Sequence, residues 1–279
     1  MKLVVVIVSL LLMSCSHSTL SDSNEKAVYI LGSYHNLKSI PGSEELFEKT
    51  LKRINPDLVF IEWPTTWFDE NGVIKKNYPV PTFKRGEVFV DQLFAGVYDN
   101  EDYKGYDSAI LGQFVRENKL KLVPFDIADR NKITHFQMNS RKAVGEFFKK
   151  LPKMKNKVAK VGSQWIESIS RVLKQCYEAG LPSVNSLACD AGAKEYYNLQ
   201  RTLYETLKLQ KIDSRGLKMS VDWWARRRKA MAENVCKSAN KLNFKRGLIH
   251  MGWHHRYHII EDIKKCKNFK LVYLWEELP

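Results

Sequence analysis

The sequence predicts an α/β fold: a central, mostly parallel sheet flanked by helices, with a helical insertion capping its ligand edge. Three observations predict it. Short apolar runs at 27–31, 58–61 and 244–249 are separated by amphipathic segments, as in strand–helix–strand units. A block from about 140 to 242 is helical in pattern throughout and interrupts that alternation. Finally, the runs lead into His35, Glu62 and His250, side chains that bind metals or move protons. The carboxyl ends of parallel strands share one edge, where ligands bind.

The chain opens with Lys2, an apolar run at 3–13, and Leu12-Met13-Ser14-Cys15. The run is too short to span a bilayer and reads as a signal segment over 1–14. Leu12, the small Ser14 and Cys15 are similar to a bacterial lipobox. That makes Cys15 a lipidated (palmitate-bearing) first mature residue and 15–25 a polar tether. Ser16 rather than Asp after it points to the outer membrane, so the chain is expected in a bacterial envelope, facing the periplasm. An α/β core is then assigned to 26–135 and 243–279, and a helical insert to 136–242.

Within the core, 27–31 reads as a strand. Ser43 can cap a helix whose apolar positions Leu46, Phe47, Leu51 and Ile54 recur at helical spacing. Asn55-Pro56 ends that helix, because the residue before proline is pushed out of the α region. A strand at 58–61 completes a β-α-β unit. From 64 to 106 the aromatics have no steady period, and such an excursion either covers a site or is a surface loop. A helix is expected over 107–118 and a strand over 120–124. Breaks in the helical block fall at Pro152, Gly180-Leu181-Pro182 and 213–216. A strand at 244–249, a helix at 256–265 and a strand at 269–274 close the chain.

Hydrophobic residues make up 44% and aromatics 11% of the 279 residues, enough for a packed core. The net charge of +14 favours anionic neighbours such as headgroups, cell-wall polymers or acidic substrates, and the export signal argues against nucleic acid. Besides Cys15 there are Cys176, Cys189, Cys236 and Cys266, an even number suited to two disulfides in an oxidising compartment. Three connectivities are open, and Cys176–Cys189 with Cys236–Cys266 is preferred. No C-x-x-C spacing occurs, which disfavours a tetracysteine metal site.

Two Gly-x-x-His segments, Gly32-Ser33-Tyr34-His35 and Gly247-Leu248-Ile249-His250, flank a strand that ends on Glu62. Together they resemble the TraB/PrgY/Tiki superfamily, related to erythromycin esterases and to ChaN-like haem-binding lipoproteins. The segment Phe125-Asp126-Ile127-Ala128-Asp129-Arg130-Asn131 looks like that family's strand-to-Asp-Arg segment. Arg227-Arg228-Lys229-Ala230-Met231-Ala232-Glu233-Asn234-Val235 resembles its R-x-x-x-M-A-x-N-[IV] helix, with Arg228 where the family often carries Asp or Asn. The resemblance implies a central sheet and a site of His35, Glu62 and His250, with Asp126, Arg130 and Arg227 as further candidates. It implies metal-dependent peptide or ester hydrolysis, or haem binding.

Two imidazoles and a carboxylate leave a divalent metal an open position for water, whose pKa the metal lowers. In that reading His35 and His250 ligate the metal, Glu62 ligates it or takes the water's proton, and Arg227 steadies an oxyanion or a substrate carboxylate. Without a metal, Glu62 as base and one histidine as acid suit ester hydrolysis. No G-x-S-x-G and no H-E-x-x-H is present, so a serine-nucleophile hydrolase and an ordinary zincin are disfavoured. His254 and His258, spaced i,i+4 if a helix begins near His254, could chelate a metal or, with Tyr34, ligate haem iron. Trp223-Trp224 beside Arg226–Lys229 reads first as core packing and second as anion contact.

Overall fold

A computed structural model describes residues 25–69, 73–76, 106–128, 144–151 and 157–275, positions 142 and 154, and the backbone of 79–82 and 86–89. Five strands form one parallel sheet: β1 (Ala27–Ser33), β2 (Leu58–Pro64), β5 (Lys121–Asp126), β6 (Arg246–Gly252) and β7 (Lys270–Tyr273). Their order is β5-β2-β6-β1-β7, so the first and the late strand sit side by side at the centre. Two further strands, β3 (Pro79–Thr82) and β4 (Gly86–Phe89), pair antiparallel within the aromatic excursion. The expected α/β class holds.

The central strands are apolar on both sides because both faces of the sheet are covered. One face carries Leu31, Val59, Ile61 and Leu248 against α1 (Ser43–Ile54) and α2 (Asp107–Glu117). The other carries Ile30, Phe60, Ile249 and Met251 against two helices near the chain's end. These are α6 (Arg215–Lys241) and α7 (Trp253–Ile263). Each face has its own disulfide, Cys176–Cys189 on the first and Cys236–Cys266 on the second, which is the preferred connectivity.

The insert supplies α3 (Lys157–Val172), a π-helical turn at Leu173–Tyr177, α4 (Gly180–Val184), α5 (Leu187–Leu209) and α6. It has a third core, in which Trp165, Leu203, Leu207 and Leu217 meet. The break expected at Gly180-Leu181-Pro182 is present: the π turn ends at Tyr177 and a separate short helix, α4, begins at Gly180. Gly180 takes φ +85°, which turns the chain, and Pro182 sits in a first turn where its missing N–H costs nothing. Asn185 then clamps the insert to the sheet: its side chain accepts from Gly32 N at 2.7 Å and donates to Gly32 O at 2.9 Å.

Among the described residues no helix is long and apolar enough to cross a membrane. The signal and lipid-anchor reading, with Cys15, lies outside the described residues, as does Arg130.

Candidate active site

The two Gly-x-x-His motifs are alike in sequence and different in place. Gly247 to His250 lies inside β6, whereas β1 ends at Ser33 and His35 stands two residues beyond it. Gly32 is required by close approach: a Cβ there would come within 3.0 Å of Trp253 Cα, where α7 crosses β1. At Gly247 a Cβ would fall 3.0 Å from the Phe244 ring, which would have to shift to admit it.

The strand pleat then divides the three expected site residues between the two faces. Ile61 pairs with His250, so Glu62, one residue on, points to the opposite side of the sheet. His250 joins His35 on the first face. Glu62 joins Arg227 on the second.

On the first face the meeting point is Asp107, the first residue of α2, fully buried. Its Oδ2 lies 3.3 Å from His35 Nδ1 and 3.2 Å from His250 Nε2. It also accepts from the buried Ser33 hydroxyl, which in turn lies 3.0 Å from His250 Nε2. Asp107 Oδ1 accepts from Ser108 N at 2.6 Å. Burial disfavours the charged carboxylate, but His250 and His35 outweigh it and hold Asp107 well below the usual carboxylate range. His250 is buried, while the His35 side chain is 67% exposed. The cluster therefore couples an ionised interior carboxylate to an imidazole at the surface. Asp107 was missed in the sequence, where it reads only as a helix start after an aromatic run. Ser33 lies inside the first motif and carries no separate signal in the sequence.

On the second face Arg227 binds two carboxylates. Its Nε and Nη2 donate to the two oxygens of Asp126 at 2.8 and 2.7 Å, and Nη2 also donates to Glu62 Oε1 at 2.6 Å. Glu62 Oε2 accepts from Gly252 N at 2.8 Å, where β6 passes into α7. The guanidinium lies between the Trp223 and Trp224 rings, 5.5 and 5.2 Å from their centroids. Burial opposes its charge, yet Glu62 and Asp126 raise the Arg227 pKa above its ordinary value. His255 lies 3.4 Å from Arg227 Nη1, and burial, reinforced by His254 and Arg227, drives its pKa well down and keeps it neutral. Arg227 thus gives Nε and Nη2 to carboxylates, while Nη1 faces His255.

The expected metal ligand set does not fit as a unit. Both Glu62 oxygens are engaged by Arg227 and a backbone amide, on the face away from His35 and His250. Among the described residues no three His, Cys, Asp or Glu side chains form a group that could hold a metal ion. The expected haem ligands do not converge either. Tyr34 is buried, its hydroxyl 2.6 Å from Ser43 Oγ. A helix does begin at Trp253, but His258 Nε2 abuts Arg228 Nη1, and burial next to that cation lowers the His258 pKa to about 2. His254 lines a cavity under the insert, together with Trp223, Trp224 and Trp253. The Trp223-Trp224 pair therefore both packs on Arg227 and lines this cavity.

The chain matches no protein-family model, no curated protein and no solved structure.

Proposed function

We propose that the chain is an envelope-anchored hydrolase, tethered through Cys15, in which His35 backed by Asp107 performs the acid–base work on a peptide or ester bond. One observation carries this reading: imidazoles from opposite ends of the chain meet on a single buried, ionised carboxylate. A carboxylate accepting from Nδ1–H fixes a histidine's tautomer and makes Nε2 the basic nitrogen. His35 would take a proton from the attacking water through Nε2 and return it to the leaving group, while Asp107 stabilises the transient imidazolium. His250 and Ser33, both buried, hold Asp107 in place and are positioning residues. The resemblance to the TraB/PrgY/Tiki and erythromycin-esterase group supports the reaction class, and the export signal supports the location.

The test is turnover of p-nitrophenyl acetate and of a quenched peptide library, with and without a chelator. Loss of about 100-fold or more in His35→Ala, within the usual range for a general base, is the expected result. Unchanged turnover in His35→Ala would reject the assignment. Activity abolished by chelation and restored by a divalent ion would return the site to a metal hydrolase.

A further inference from the structure

Under the insert lies a cavity of about 660 Å³, a volume typical of small-molecule sites. Its walls come from helical residues 144–148, the helices α3, α5 and α6, and the start of α7, and their aromatic side chains outnumber aliphatic ones. Several of these rings are already stacked. Phe148 lies on Trp165 at 5.1 Å and 21°, and Trp165 on Tyr196 at 5.9 Å and 25°. Parallel rings of this kind offer a flat surface that another ring extends by offset stacking, whereas a flexible alkyl chain gains less from it.

Two polar side chains belong to the same wall, Gln200 and Ser220, each only 5% exposed. Both line the cavity, and neither holds an atom that is fully buried without a partner. An amide and a hydroxyl in a mostly apolar wall are the groups that can offer a ligand a donor and an acceptor and fix its orientation. The charge around the cavity narrows the ligand further. Among the described residues no acidic side chain lines it. Arg228 stands over Tyr197, 4.7 Å from the ring centroid, with the neutral His258 beside it and no carboxylate bridged to it among the described residues. Aromatic walls attract cations in general, but the Arg228 guanidinium behind the wall works against one here.

We propose that this cavity binds a planar aromatic ligand, neutral or anionic, that bears a hydrogen-bonding group met by Gln200 and Ser220. The site is independent of the hydrolytic reading, because neither His35 nor Asp107 lines it.

The experiment is calorimetric titration of the purified chain with 2-naphthamide, 2-naphthoate, decanoate and a naphthyl-trimethylammonium ion. The two naphthalenes without positive charge should bind at least tenfold more tightly than decanoate or the cation. Gln200→Leu keeps an apolar wall and removes the amide, and should weaken 2-naphthamide by roughly 5- to 10-fold, the scale of one hydrogen bond. Ala193→Phe fills the cavity from α5 and should abolish binding. If that variant fails to fold, the Gln200→Leu result decides alone. His35→Ala should bind all four probes as the parent does, which separates this site from the proposed hydrolytic one. Decanoate or the cation binding as tightly as the naphthalenes would overturn the proposal. So would no naphthalene binding at all, or an unchanged affinity in Gln200→Leu.

Discussion

On one face of the sheet a single carboxylate, Asp107, serves two imidazoles and a hydroxyl; on the other, two carboxylates, Glu62 and Asp126, close on one guanidinium between two indoles. Both clusters stand at the same edge and are held by strand ends. They differ in what can still change. The Arg227 cluster contains a permanent cation, compensated and buried, and joins α6 to β2 and β5. The Asp107 cluster sets two imidazoles on one carboxylate, and the His35 side chain is exposed. A charged cluster at a ligand edge is therefore not a catalytic one by position alone. What distinguishes them is a side chain that both reaches solvent and has an ionised partner behind it.

The largest expected effect lies on the Arg227 face. Arg227→Met leaves Glu62 and Asp126 buried without their cation and should cost about 3–5 kcal/mol of stability, read by urea unfolding. A loss below about 1 kcal/mol would mean that this cluster is not the anchor described.

The disulfides sharpen the same comparison, since each face has one. Chain entropy scales with the closed loop, so replacing Cys236 and Cys266 by Ser (separation 30) should cost about 3.5 kcal/mol. Replacing Cys176 and Cys189 (separation 13) should cost about 3 kcal/mol. The second pair also holds the π turn against α5, so its loss should loosen the insert first, seen as faster amide exchange around Asn185.

Asp107→Asn removes the charge that both imidazoles address and should cost about 2 kcal/mol at neutral pH. The sign of the pH dependence follows from its depressed pKa. The stabilisation is complete above the ordinary carboxylate value and is lost progressively as pH falls below about 4. The second face responds earlier and through bases. His255 and His258 resist protonation in the folded chain, so below about pH 6.5 the unfolded chain takes up protons that the folded one does not. Stability should therefore fall between pH 7 and pH 5, by up to about 2 kcal/mol for each imidazole. Thermal melts across that range should flatten in His258→Gln. A melt that is flat in the parent would contradict the neutral assignment.

The smallest stability effect should be that of His35→Ala. An exposed side chain removed from a loop costs within about 0.5 kcal/mol, while turnover falls steeply. A structural role for His35 predicts the reverse pattern.

Much of the fold was legible because strands and helices announce themselves locally. The run at 58–61, the spacing of Phe47, Leu51 and Ile54, and the late run into His250 place β2, α1 and β6 within a few residues of where they lie. The site was legible only in part. That His35 and His250 meet follows from two strand ends at one edge. That Glu62 faces away from them does not, because Leu58 to Ile61 are all buried and show no alternation from which a face could be read. Asp107 was hidden for another reason: its role depends on contacts 72 residues from His35, and locally it is indistinguishable from any acidic residue at a helix start. Arg227 was found as a candidate, but not its neutralisation by partners 101 and 165 residues away.

The most direct test of the division between the two faces is the tautomer of His35, read by two-bond ¹⁵N–¹H correlation on histidine-labelled protein near pH 8. With Asp107 accepting from it, His35 should be the Nδ1–H tautomer in the parent. It should lose that preference in Asp107→Asn and keep it in Asp126→Asn. An Nε2–H tautomer in the parent, or one indifferent to Asp107, would contradict the account.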